Sequence, residues 1–258
     1  MFQTYKDLYK LDGKTALIAG GAGGIGSAIA EGLASLGAAV VVTARTEDRA
    51  DKIAEGIRGE GGKAEGRVLN VEDFSSIAPL ADGIAKKYGS LDILVNCVGT
   101  HIEAPALEYK EADWDKIFDI NVKAAFFLSQ AVAKHQTGKG GTHIHITSVR
   151  SLLGIHRGYI SYCSSKGSMV LMIKQLATEW AKYGITVNGI APTFTNTPLV
   201  DKYLKDPAFL KPLLSRIPLG RVCEPADIAG LAMFLASPAG GFVTGQNIFI
   251  DGGVTATQ

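Results

Sequence analysis

The 258 residues carry 26 Lys plus Arg against 25 Asp plus Glu, a formal net charge of +1, and are 47% hydrophobic and 20% charged. Such a composition can bury a core and excludes a disordered chain, while a charge this close to zero supplies no basic field for nucleic acid or anionic lipid. Small-molecule chemistry is what remains.

The first ten residues mix Lys6, Asp7 and Lys10 with aromatics and lack the apolar centre of a secretory signal. No apolar run reaches the roughly 18 residues of a membrane-spanning helix. Cys97, Cys163 and Cys223 are odd in number and far apart, so they suit neither a disulfide framework nor a zinc site. A soluble cytoplasmic protein with reduced thiols and no metal is expected.

Along the chain, apolar β-branched runs at 15–19, 39–43, 93–95, 142–147, 186–190 and 247–250 read as buried strands. Helical spacing fills the intervals at 25–36, 77–88, 114–134, 162–183 and 225–235. Strand alternating with helix predicts a parallel sheet covered on both faces, an α/β doubly wound arrangement in a single domain spanning 1–258. No linker or repeat interrupts it. Residues 138–141 form a Gly/Lys turn before a strand, and the stretch from Pro192 to Pro225 holds six prolines. Long insertions beyond strand ends are commonly lids or binding loops, so 193–224 is expected to be a substrate lid.

The first strand runs straight into Gly20-Gly21-Ala22-Gly23-Gly24-Ile25-Gly26 and then a helix. Glycines at such a turn let backbone approach a pyrophosphate, and the helix amides then face its phosphates. Gly21-x-Gly23-x-x-Gly26 fits the dinucleotide fingerprint and Gly20-x-x-x-Gly24-x-Gly26 a wider variant; both point to the same ligand class. After the second strand, Ala44-Arg45 stands where an acid would bind the ribose hydroxyls of NAD, and an arginine pairs instead with the extra phosphate of NADP. NADP(H) is therefore favoured, with NAD(H) the alternative if Glu47 or Asp48 takes that role.

Tyr162-Cys163-Ser164-Ser165-Lys166 opens a long helical segment, and positions four apart share a helix face. A phenol titrating near 10 is a poor base at neutral pH. A neighbouring ammonium is expected to lower that value and make Tyr162 a usable acid/base. Upstream, the strand His143-Ile144-His145-Ile146-Thr147-Ser148 ends in a hydroxyl where a pocket should open. Ser148 can donate to a substrate oxygen there or simply cap the next turn.

Together these segments resemble the short-chain dehydrogenase/reductase family over nearly the whole chain. The resemblance rests on Gly20-x-x-x-Gly24-x-Gly26, Asn96-Cys97-Val98-Gly99, Asn121 in Ile120-Asn121-Val122, Ser148, Tyr162-x-x-x-Lys166, Pro192 through Thr197, and Asp251-Gly252-Gly253. It implies a Rossmann fold and hydride transfer between a nicotinamide cofactor and a secondary alcohol or ketone. By the same resemblance Tyr162 moves the proton, Ser148 polarises the substrate oxygen, Lys166 also holds the nicotinamide ribose, and Asn121 keeps a water-linked proton route from Lys166. The cofactor-binding set it implies comprises Gly20, Gly24, Ile25, Gly26, Arg45, Asn70, Val71, Asn96, Gly99, Tyr162, Lys166, Pro192, Thr195 and Thr197. A homotetramer is implied as well. Ser148 stands fourteen positions before Tyr162, one more than the family's usual thirteen, so a bulge or longer loop is expected, with Thr147 the alternative hydroxyl.

Arg150, His156, Arg157, Tyr159 and His101 are candidate pocket residues, and their polarity points to a hydroxylated or anionic substrate, similar in flavour to those of sugar, polyol and gluconate dehydrogenases of the family. Arg150 is the candidate anion receptor. Two competing classes are a dinucleotide-sensing protein that has lost turnover, against which Ser148, Tyr162 and Lys166 argue, and a nucleotide-sugar epimerase or dehydratase, which has a larger C-terminal region.

Overall fold

A computed structural model describes residues 2–198 and 200–257. In chain order the main elements are α1 (Phe2–Asp7), β1 (Thr15–Ala19), α2 (Gly24–Ser35), β2 (Ala39–Ala44), α3 (Glu47–Gly59), β3 (Lys63–Val68), α4 (Ile77–Tyr88), β4 (Ile93–Asn96), α5 (Glu111–Phe118), α6 (Ala124–Ala133), β5 (Gly141–Ile146), α7 (Ile160–Trp180), β6 (Ile185–Pro192), α8 (Asp201–Leu204), α9 (Pro207–Leu214), α10 (Pro225–Ala236) and β7 (Asn247–Ile250). No described helix is long and apolar enough to cross a membrane.

The strands form one parallel sheet in the order β3-β2-β1-β4-β5-β6-β7. Side chains alternate between its faces, as the two-residue period of a strand requires. Ile18, Val40, Val42, Val95 and Ile144 pack with Ile29 and Leu33 of α2 and Ile228 of α10. Leu17, Val41 and Leu94 pack on the opposite face with Ile84 of α4 and Leu128 of α6. Strand order reverses between β1 and β4, and a crevice opens beyond the carboxyl ends of the strands at that point.

All six expected strands are present within a residue or two of their anticipated bounds. The reading missed β3, because Lys63-Ala64-Glu65-Gly66-Arg67-Val68 is a charged edge strand, with Lys63 and Arg67 exposed and Glu65 paired to Lys87 and Tyr88 of α4. It also missed α3 and the short α1, α8 and α9. The helix expected over 114–134 is a correction: it begins at Glu111 and is interrupted by a π-helical stretch, Asp119–Lys123, between α5 and α6. Residues 193–224 carry α8 and α9, and the stems of this excursion are tied by Asn196 N–H to Cys223 O at 2.8 Å and Cys223 N–H to Phe194 O at 3.2 Å. Phe194, Phe209 and Tyr203 pack as a chain with centroids 5.5 Å apart at each step.

Candidate active site

The glycine turn leaves β1 with Gly20 at φ +75°, a left-handed conformation that favours glycine. A Cβ on Gly26 would lie 2.5 Å from the Gly20 carbonyl oxygen, so α2 packs against the turn only because that position has none. Thr43, the hydroxyl ending the apolar run of β2, fastens the turn by accepting from Gly20 N–H and donating to Ile18 O, both at 3.3 Å. No side chain caps the start of α2, where Gly23 is the N-cap. Its first amides are thus open to an anionic ligand, which makes the turn a fit for a dinucleotide pyrophosphate. Thr197, in the segment that follows β6, lies over Gly24.

A cavity of about 390 Å³ lies beside this turn and takes in Ile25, Gly99, Ser148, Tyr162, Lys166 and Thr195. Pro192 and Thr197 also line it. Tyr162 and Lys166 are brought together one turn apart on α7, with the Lys166 Nζ 5.8 Å from the centre of the Tyr162 ring. Lys166 is buried, and its Nζ donates to Ile146 O at 2.8 Å.

The expected lowering of the Tyr162 pKa is a correction. Burial dominates and pushes the phenol upward, with the Ser148 hydroxyl beside it pulling the other way. Burial also acts on Lys166, whose ammonium is pushed down to about 8. Desolvation therefore brings the two groups' charged forms into disfavour together, and the ammonium does not offset it for the phenol.

Ser148 both caps and faces the cavity. Its Oγ accepts from Arg150 N–H at 3.1 Å, ending the strand in a short 3₁₀ turn, and its own proton stays available. Thr147, the alternative hydroxyl, is committed elsewhere, with its Oγ1 3.0 Å from Ile190 O and 2.6 Å from Asn247 Oδ1. Between the 3₁₀ turn Val149–Ser151 and the start of α7 at Ile160, residues 152–159 form a loop.

Asn121 sits in the π-helical stretch, a local widening often found at functional positions. Its side chain is fully buried, accepting from Thr100 N–H at 2.8 Å and donating to Thr100 O at 2.9 Å and Ser165 Oγ at 3.0 Å. It ties the loop after β4 to α7. Gly99 occupies the gap so formed, where a Cβ would lie 3.4 Å from Lys166 Nζ.

Other expected residues fall outside the cavity. Asn96 is 1% exposed and turns inward, accepting from Val98 N–H and lying 3.4 Å from His145 Nδ1, so its side chain shapes the loop and cannot reach a ligand. Arg45 is exposed after β2 and, among the described residues, pairs with no carboxylate. Asn70 is exposed, its Oδ1 accepting from Glu72 N–H, and Val71 is buried beside it. Of the substrate candidates, His101, Arg150, Arg157 and Tyr159 line the cavity and His156 does not.

Sequence reasoning missed a clasp that holds one wall. Arg157 donates twice to Glu103, at 2.9 and 2.7 Å, and Ala104 N–H donates to Gly158 O at 3.0 Å. Tyr109 Oη donates to Ile102 O or pairs with Ser161. An acid and an arginine in two loops on neighbouring strand ends was the available signal.

Residues 20–255 match a family model described as enoyl-(acyl carrier protein) reductase. The chain is 36% identical over 255 residues to gluconate 5-dehydrogenase of Gluconobacter oxydans (strain 621H), covering 98% of this chain and 99% of that protein. It is 37% identical over 250 residues to 5-keto-D-gluconate 5-reductase of Escherichia coli (strain K12), covering 96% and 98%. Among solved structures it superimposes with a TM-score of 0.93 and 37% identity on a gluconate 5-dehydrogenase from Burkholderia cenocepacia J2315 in complex with NADP and tartrate, over 98% of this chain and 99% of that one.

Proposed function

The chain belongs to the short-chain dehydrogenase/reductase family, and from that premise we propose that it is an NADP(H)-dependent oxidoreductase acting on a secondary alcohol or ketone of sugar, polyol or sugar-acid type. The single observation that carries the reading is the convergence of Ser148, Tyr162 and Lys166 on one cavity beside the uncapped start of α2. Relatives that act on gluconate or its keto form, and one structure bound to NADP and tartrate, support the cofactor and the substrate class.

A nicotinamide dinucleotide bound here supplies or takes the hydride at the substrate carbon and, when oxidised, adds a positive ring to the site. The turn from Gly20 to Gly26 and the α2 amides would hold its pyrophosphate, Arg45 its 2′-phosphate, Asn70 and Val71 the adenine, and Thr195 and Thr197 the nicotinamide end. In reduction, Tyr162 donates its phenolic proton to the carbonyl oxygen, which Ser148 polarises through its free O–H. Lys166 would contact the nicotinamide ribose and, one turn away on α7, would add a positive charge beside the phenolate so left. Asn121, locked between Thr100 and Ser165, keeps Lys166 and the loop after β4 in register. In oxidation the same proton returns to Tyr162.

We assign 193–224 as the substrate lid of one dinucleotide-binding domain. The three free cysteines suit a cytoplasmic enzyme, and exposed Phe127 on α6 and Leu171 on α7 suit assembly as a homotetramer.

The test is the absorbance of reduced nicotinamide when purified protein meets NADPH or NADH with a panel of keto sugars, keto acids, steroids and simple ketones. Turnover with NADPH on the sugar-like carbonyls is expected. Dinucleotide binding with no turnover across the panel would instead favour a sensor.

A further inference from the structure

We propose that Arg150 is the anion receptor of this site, so that the preferred substrate carries a carboxylate on the chain whose hydroxyl or carbonyl meets Tyr162. The inference rests on the hydride-transfer reading and names its substrate class and a specificity-determining residue.

The cavity is lopsided in charge. Lys166, Arg150, Arg157 and Lys202 line it, and among the described residues no carboxylate does. Three of these cations are already committed or remote. Lys166 is buried under the reacting centre and bonded to Ile146 O. Arg157 is neutralised by the two-pronged pair with Glu103 and serves the wall. Lys202 is exposed on the lid, its Nζ 4.8 Å over the Tyr203 ring.

Arg150 differs from all three. It follows Ser148 by two residues, so the chain that presents the polarising hydroxyl also presents the guanidinium. It is half-buried and has no carboxylate partner among the described residues. One nitrogen, Nη1, donates to Gly154 O at 2.7 Å, which fixes the side chain without discharging it. The remaining N–H groups have no partner within the chain among the described hydrogen bonds.

A planar fork anchored at one nitrogen and open at the others is pre-organised for a carboxylate. A main-chain anchor alone does not set it apart, since exposed Arg58 also donates Nη1 to Ala64 O at 2.9 Å; what sets Arg150 apart is that its anchored, half-buried and carboxylate-free fork lines the cavity. The paired Arg157, seven positions along the same loop, shows how this fold treats an arginine whose task is structural: it gives it Glu103.

The groups around Arg150 leave the assignment intact. Tyr159, Tyr162 and Cys163 stand near it and Arg216 adds a further positive charge. None offers a standing anion at neutral pH, so an incoming carboxylate meets no competitor.

The experiment is calorimetric binding of D-gluconate and of D-glucitol to the full chain loaded with NADP⁺. These probes share a hydroxylated six-carbon chain and differ in a carboxylate against a hydroxymethyl group. Gluconate is expected to bind at least about 10-fold more tightly than glucitol, a charge-assisted bidentate contact being worth that much. Arg150→Gln should remove most of that preference by weakening gluconate far more than glucitol, and Arg150→Lys should restore it in part because it keeps the charge without the fork. A wild-type chain that binds the two probes equally, or neither, overturns the proposal. So does an Arg150→Gln chain that keeps the preference. Folding of each variant is checked by its thermal melt and retained NADP⁺ affinity. Because the readout is binding, the hydride-transfer reading stands or falls separately on NADPH turnover.

Discussion

Where β4, β5 and α7 converge, Lys166 donates to Ile146 O, Asn121 bridges Thr100 and Ser165, and Asn96 holds Val98, all three side chains buried. Beyond the ends of β2 and β3, by contrast, Arg45 and Asn70 stand in solvent with at most a local turn to hold them. On the proposed reading the first region is the reactive end of the crevice, built by internal hydrogen bonds, and the second is the adenosine end, where an exposed cation would be ordered by the ligand. Proton transfer needs fixed distances and pre-oriented dipoles, whereas recognition of a phosphate tolerates a flexible cation whose reward is affinity. The two ends should therefore fail differently when altered.

The largest effect belongs to the reactive end. Ser148→Ala removes the uncommitted hydroxyl of that strand end beside Tyr162, since Thr147, which also lines the cavity, is spent on Ile190 and Asn247. Its kcat should fall about 10²–10³-fold with NADP(H) affinity unchanged, as read by NADPH absorbance and fluorescence titration. An equal loss of cofactor affinity would blur the distinction between the ends.

The floor beneath the reactive end makes a second prediction. His143 and His145 on β5 are fully buried, and burial pushes them down to about 3 and about 4. His143 bonds Gln136 through Nε2, leaving its buried Nδ1 without a partner, and His145 lies between Ser129 and Asn96. Their folded values lie below the unfolded one of 6.5. Between those limits the unfolded chain binds more protons, so stability is complete above pH 6.5 and falls as the pH drops toward 4. At pH 5 the loss should be about 2 kcal/mol per histidine relative to neutral pH. Thermal melts at pH 7 and pH 5 measure it, and His143→Gln should recover close to half. A His143→Gln chain as acid-sensitive as the wild type would show that these histidines are not the source.

The smallest effect lies at the adenosine end. Arg45→Ala should raise KM for NADPH about 10-fold and leave KM for NADH and kcat unchanged. A variant with unaltered cofactor preference would place the discriminating group elsewhere, with Glu47 and Asp48 at the start of α3 next in line.

How much was legible in the sequence follows the same division. Buried strands such as Val40-Val41-Val42 announce themselves, because both faces of a parallel sheet are covered, and the glycine turn and the Tyr162–Lys166 spacing are local patterns. The edge strand β3 is not legible, since its Lys63, Glu65 and Arg67 read as a loop until β2 pairs with them. Nor is the direction in which a side chain is spent. Asn96 and Thr147 stand as close in sequence to the site as Gly99 and Ser148, yet their polar atoms are taken up within the chain because neighbouring strands present His145 and Asn247 to them. The Glu103–Arg157 clasp joins residues 54 apart and exists only once the loops after β4 and β5 meet. The burial that raises Tyr162 and lowers Lys166 is likewise a property of the packed chain.

The central claim is that the Tyr162 phenol carries the proton in a hydride-transfer reaction. Its most direct test is Tyr162→Phe, assayed in parallel for NADPH binding by fluorescence and for turnover of a substrate accepted by the wild type. The account predicts unchanged dinucleotide affinity with turnover reduced about 10²–10⁴-fold. A Tyr162→Phe chain that reduces its substrate at the wild-type rate would contradict it.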